Sequence, residues 1–229
     1  MAGLVGFFVS IGLVFGFVFN SNAAEVEIRI GNTVIKKEVK SFKEKKFDDI
    51  VRQTEDFSCG AAALATLMSH YFGQETSEYE VLNAVFVNSD EETKSRIQQK
   101  GISLLDLKNY AETKGLVGTG YRMKPEDLKT LDRPAIVMIK YRDYSHFVVI
   151  KGVSKGKVYL ADPARGIWLC DLDDFGKMWS GLLLAFKRDN GKKVTQHNLE
   201  MKPFFSRQLL YMLPADVLDT RFATQVGEF

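Results

Sequence analysis

The amino-acid sequence predicts an α+β fold in which a helical subregion packs on an antiparallel β-sheet. Apolar residues at helical spacing dominate between Gly60 and Gly115, and short β-branched runs separated by turns dominate after Arg133. Helices first and strands second is the order of an α+β domain of two packed subregions. Composition agrees: the 229 residues are 45% hydrophobic and 26% charged, as in ordinary globular domains.

Residues 2–19, AGLVGFFVSIGLVFGFVF, carry no charge, and in the NSNAAE that follows, Ser21 and Ala23 fit a signal-peptidase site. No Lys or Arg precedes the run, and it is long for a signal core, so an uncleaved inner-membrane anchor is the alternative. Both readings put the remaining chain outside the cytoplasm, in the periplasm. Residues 1–23 are therefore read as leader or anchor. A hairpin extension follows over 24–47, where EVEIRI alternates apolar and polar residues, Gly31-Asn32 offers a turn and TVIKKEV resumes.

The core domain is placed at 48–188. A short extended piece, IVRQ, ends at Gln53. The first helix is expected from Gly60 to Phe72, with Leu64, Leu67, Met68, Tyr71 and Phe72 on one face and Gly73 as its stop. Ser77 and Glu80 spell a capping box for a second helix carrying Val81, Leu82, Val85 and Phe86. The polar NSDEETKSRIQQKG reads as an exposed loop or irregular helix. Ser103 caps a third helix with Leu104, Leu107, Tyr110 and Ala111 on one side and Gly115 at its end, and PEDLKTL from Pro125 adds a helical turn. PAIVMIK, HFVVIKGV, KVYLADP and LLLAFK are the expected strands. Residues 189–229 form an extension whose FFSRQLLYML is too apolar for a free tail and is expected to pack on the body or a partner.

A net charge of +2 gives no reason to expect a nucleic-acid partner. No Gly-rich phosphate loop precedes a helix, so no nucleotide cofactor is implied. Three scattered histidines and two distant cysteines offer no metal-ligand spacing. Neither cofactor nor metal is expected, and the membrane enters only through an uncleaved N-terminal segment.

Cys59 stands where a helix begins, and unpaired N–H groups at a helix start favour thiolate over thiol. Gly60 beside it leaves room for another backbone to approach the sulfur, which makes it a candidate substrate-binding position. His146 opens a strand apolar on both faces, and Asp162 ends the next strand sixteen residues on. If helix and sheet pack together, imidazole can take the thiol proton while the carboxylate fixes its tautomer. Gln53, six residues before Cys59, can offer a side-chain N–H which, with the Cys59 backbone N–H, makes an oxyanion hole. Taken singly, each has a bland explanation: a buried small thiol, a core histidine, an Asp-Pro turn and a surface glutamine. His70 and His197 are weaker candidates, and Cys170 reads as a buried strand residue. A Cys59–Cys170 disulfide remains an alternative that would silence the site.

Gln53, Cys59-Gly60 with its alanine-rich helix, HFVVI from His146 and Asp162-Pro163 together resemble the C39 peptidases, papain-like cysteine peptidases that process bacteriocin leaders. The resemblance covers about residues 48 to 188 and implies Cys59 as nucleophile, His146 as general base and acid, Asp162 as its orienter and Gln53 as oxyanion donor. It also implies a peptide or protein substrate, often cut after a double glycine. With an export signal and no transporter domains, the chain looks like the stand-alone exported branch, some members of which accompany functional-amyloid secretion systems of Gram-negative bacteria. The competing expectation is a C39-like module that binds an export partner without cutting it.

Overall fold

The computed structural model of the protein describes residues 24–30, 33–39, 41–141 and 144–201. The leader, the Gly31-Asn32 turn and FFSRQLLYML lie outside these residues. Strands β1 (Ala24–Ile30) and β2 (Thr33–Val39) pair antiparallel, from Ala24 opposite Val39 to Ile30 opposite Thr33. They belong to a unit ending at Ser41, and everything below concerns the unit that starts at Phe42.

That unit begins with a single turn, α1 (Phe42–Lys45), and continues with four helices: α2 (Cys59–His70), α3 (Glu78–Val87), α4 (Glu91–Lys100) and α5 (Leu104–Thr113). Next come β3 (Leu116–Arg122), a 3-10 turn at Pro125–Thr130, β4 (Ala135–Tyr141), β5 (Tyr144–Ser154), β6 (Lys157–Asp162), β7 (Gly166–Asp171), α6 (Leu172–Met178) and β8 (Trp179–Arg188). The six strands from β3 to β8 form one antiparallel sheet in the order β3-β8-β4-β5-β6-β7. β5 is therefore interior, and alternation sends its residues into two cores. Phe147 and Val149 join the helical layer with Leu64, Leu67 and Leu107, while Val148 and Ile150 pack on the opposite face with Leu128, Phe175 and Trp179.

α2 is the hub. Every residue from Cys59 to Met68 is buried, so the helix expected to bury one apolar face is in fact buried all round. Ala61, Ala62, Ala63 and Ala65 take up little width, which lets β5, α3 and α5 all contact the helix. Gly60 belongs to this packing. A side chain there would meet the Phe147 ring at 3.2 Å and Leu107 at 3.5 Å, so the missing Cβ lets the sheet come close to α2.

Ser103 and Asp106 complete a reciprocal capping box at α5, and Gly115 follows that helix at φ 75°. Ser77 caps α3 through Glu80 N–H, but the Glu80 carboxylate turns to Tyr110 and Lys114, leaving the expected box half formed. The polar stretch is a regular helix, α4. Asp90 caps it through Thr93 N–H at 2.8 Å, and Ile97 is its one buried residue, too sparse an apolar signal to reveal a period. β3, rich in glycine and exposed towards its end, and α6, anchored by Leu172 and Phe175, escaped the sequence reading altogether. In the extension, Leu199 is buried in the helical core and Asn198 N–H donates to His70 O at 2.9 Å, so its first part packs on the body.

Replacing Leu64, fully buried at the centre of this layer, by alanine is expected to cost about 2–5 kcal/mol. Urea unfolding of the two proteins checks this.

Candidate active site

The residues leading into α2 are held by their own polar groups. Gln53 N–H donates to Pro163 O at 3.0 Å, which ties this segment to the turn after Asp162. Thr54 gives its N–H and hydroxyl to the Glu78 carboxylate at 2.9–3.1 Å, and Glu78 is itself buried at the start of α3. The fully buried Ser58 hydroxyl donates to Glu55 O at 2.7 Å and accepts Glu55 N–H. Being so occupied, Ser58 puts no side-chain cap on α2. The first N–H groups of the helix, at Cys59, keep their partial positive charge. Gly101, at φ 79°, lets its backbone pass against Phe57 O where a Cβ would collide at 2.8 Å.

Cys59 is 5% exposed, His146 7% and Asp162 fully buried. His146 Nε2 and Asp162 Oδ1 are 2.7 Å apart. The same Oδ1 accepts the N–H groups of Ala164 and Arg165 at 2.8 and 3.1 Å, while Oδ2 accepts Trp168 Nε1–H at 3.2 Å. Four donors on one buried carboxylate keep it ionised. Burial alone would raise its pKa, but the His146 bond and charge and the two backbone N–H groups hold it below the usual carboxylate range.

The imidazole is pulled the other way. Burial opposes its charge, yet the bond to Asp162 and the proximity of Cys59 together push its pKa up to about 9. With Nε2 committed to Asp162, the other nitrogen, Nδ1, is buried and makes no hydrogen bond, which leaves it for the sulfur. Tyr144 also borders the site. Its hydroxyl donates to Asp56 O, its ring centroid is 5.9 Å from that of His146, and burial together with Cys59 and Asp56 raises the phenol to about 12.

The structure thus gathers Cys59, His146 and Asp162 in one buried corner, with Gln53 tied beside it. The Gln53 amide donates to Glu55 O at 3.1 Å while its Oε1 is buried without a hydrogen bond. Both cysteines are free. Cys170 lies on β7, partly buried, with its thiol pushed up to about 12 by burial. His70 faces Asp49 at 3.7 Å at the end of α2, and the His197 ring lies tilted against Tyr71 with centroids 4.6 Å apart, both on other contacts. Among the described residues no group of three or more His, Cys, Asp or Glu gathers to hold a metal.

Sequence reasoning missed Trp168, Tyr144 and Glu78. Tyr144 had a usable signal, since a residue two before His146 shares its face of a strand. Trp168 required the β6–β7 register, in which Asp162 opposes Gly166. Glu78, twenty-four residues from Thr54, left no local trace.

The fold favours the His146 imidazolium. The stability this supplies is complete below about pH 6.5 and is lost as pH rises through about 9. Asp162→Asn removes the charge that helps raise the imidazole, so His146 is expected to titrate lower in that variant, as followed by NMR of its ring protons.

Residues 48–191 match the model of the peptidase C39 family. Among curated relatives, the "Probable functional amyloid protease FapD" of Pseudomonas fluorescens is 38% identical over 155 residues, covering 68% of this chain and 67% of that protein. The colicin V secretion/processing ATP-binding protein CvaB of Escherichia coli is 27% identical over 135 residues, 59% of this chain but 17% of its own. Among solved structures, a double glycine motif protease from an AMS/PCAT transporter, in complex with its leader peptide, superposes with a TM-score of 0.50 at 29% identity, covering 61% of this chain and 90% of that one. The peptidase domain of Streptococcus ComA gives 0.51 at 19% identity, a likeness of fold. The α+β architecture is the papain-like fold of these peptidase domains, and the chain belongs to the peptidase C39 family.

Proposed function

We propose that the protein is an exported cysteine endopeptidase in which Cys59 is nucleophile, His146 general base and acid, Asp162 its orienter and Gln53 an oxyanion donor. One observation carries this reading: an imidazole fixed by a buried carboxylate, with its second nitrogen free of hydrogen bonds and Cys59 as its neighbour. Before substrate binds, the Cys59 proton rests on His146 as an imidazolium, and the thiolate attacks a peptide carbonyl, forming the C–S bond. The Cys59 N–H and the Gln53 amide receive the oxyanion. His146 then gives its proton to the leaving amine as the C–N bond breaks. Water, deprotonated by His146, attacks the thioester, releases the acid and restores the thiol.

The substrate proposed is a peptide or protein handled by a secretion or amyloid-assembly system in the periplasm, cut at a Gly-Gly-type site. Its support is the name of the Pseudomonas relative and the leader peptide bound to the double glycine motif protease. The apolar, uncharged N-terminal run supports export.

N-terminal sequencing of cell-envelope proteins from strains carrying wild type or Cys59→Ala tests the reading. New N-termini that depend on Cys59 are expected, whereas identical sets would favour a binding module that does not cut. Gln53→Ala is expected to lower turnover about one hundredfold with the thiol intact, checked by cleavage kinetics on the substrate so identified.

A further inference from the structure

Tyr144 stands 49% exposed, yet makes a specific long-range contact. Its hydroxyl donates to the main-chain carbonyl of Asp56, 88 residues away in the chain. Asp56 lies three residues before Cys59, and Tyr144 two residues before His146 on β5. Two residues along a strand advance about 6.6 Å and return to the same face. The Tyr144 ring accordingly stands beside the imidazole, centroids 5.9 Å apart and planes inclined by 30°.

The contact joins the two walls that bring the sulfur and the imidazole together, close to both. Cys59 and His146 are themselves nearly sealed, at 5% and 7% exposure, so an incoming polypeptide reaches the sulfur past whatever borders it. Among the described residues, Tyr144 is an exposed aromatic at that border. Burial, with Cys59 and Asp56 nearby, pushes its phenol up to about 12, so near neutral pH the hydroxyl is a donor to Asp56 O.

We propose that Tyr144 is a specificity-determining residue of the Cys59 site: its ring, anchored on the Asp56 carbonyl, bars the sulfur to polypeptide segments with bulky side chains beside the cut. This rests on Cys59 being the nucleophile. A carbonyl presented to the sulfur must pass close to the ring. Segments without side chains there slip past, and larger ones meet an aromatic that cannot swing away without giving up its hydrogen bond.

Two alkylating agents of different width measure the bar without knowledge of the natural substrate. The full chain is treated with iodoacetamide or with its N-phenyl derivative, and Cys59 modification is followed by peptide mass spectrometry. Tyr144→Ala is expected to raise the ratio of the bulky to the small rate about tenfold, the scale on which a steric group in a pocket discriminates. Tyr144→Phe keeps the ring but loses the tie, and is expected to raise the ratio by less. An unchanged ratio in Tyr144→Ala, folded as judged by its thermal melt, overturns the proposal. Should the alanine variant fail to fold, an unchanged ratio in Tyr144→Phe overturns it instead. The nucleophile reading fails separately, by wild-type Cys59 reacting with iodoacetamide no faster than Cys170.

Discussion

A buried carboxylate that must stay charged sets the terms for the rest of this molecule. Asp162 has no contact with solvent, and an isolated carboxylate in such a place would be prohibitively unstable. Its four donors come from a strand, a turn and the strand beyond. Satisfying one side chain therefore fixes the His146 ring, the turn from Pro163 to Arg165 and the Trp168 indole at once. Removing one partner of such a buried pair commonly costs about 3–5 kcal/mol, so the arrangement is held as a whole. The same pairing leaves His146 with one ring nitrogen bound to the carboxylate and the other without a hydrogen bond.

The second constraint is the approach to α2. A nucleophile at a helix start gains from the N–H groups there only if nothing else caps them. Ser58 could do so but is turned to Glu55, while Glu78, Pro163 and Gly101 hold the neighbouring backbone. The loop that carries Gln53 and ends at Cys59 is thus held by hydrogen bonds within itself and to α3, and it is tied to the Asp162 turn directly. Sheet and helix meet at one corner because α2, stripped of bulk by four alanines and Gly60, lies close against β5.

Most of the fold was legible because its signals are local. Ser103 with Asp106, Gly115 and the β-branched runs of β4 to β6 each declare an element within a few residues. Elements that escaped lack such signals: β3 is an edge strand interrupted by Gly118 and Gly120, and α4 buries Ile97 alone. In the site, the three groups that meet in the corner were legible from residue type and order, since a thiol before a helix, an imidazole entering a strand and an acid leaving the next one are local features. The groups that hold them were not. Glu78 reaches Thr54 and Tyr144 reaches Asp56 only through the tertiary fold, and a buried Gly60 reads the same in sequence whether it serves packing or substrate.

The central claim is that His146 activates the sulfur of Cys59. Its most direct test is the rate constant for alkylation of Cys59 by iodoacetamide near neutral pH, in the wild type and in His146→Ala. The account predicts a fast reaction in the wild type that falls to the rate of an ordinary unactivated thiol in the variant. Equal rates in the two proteins would contradict it.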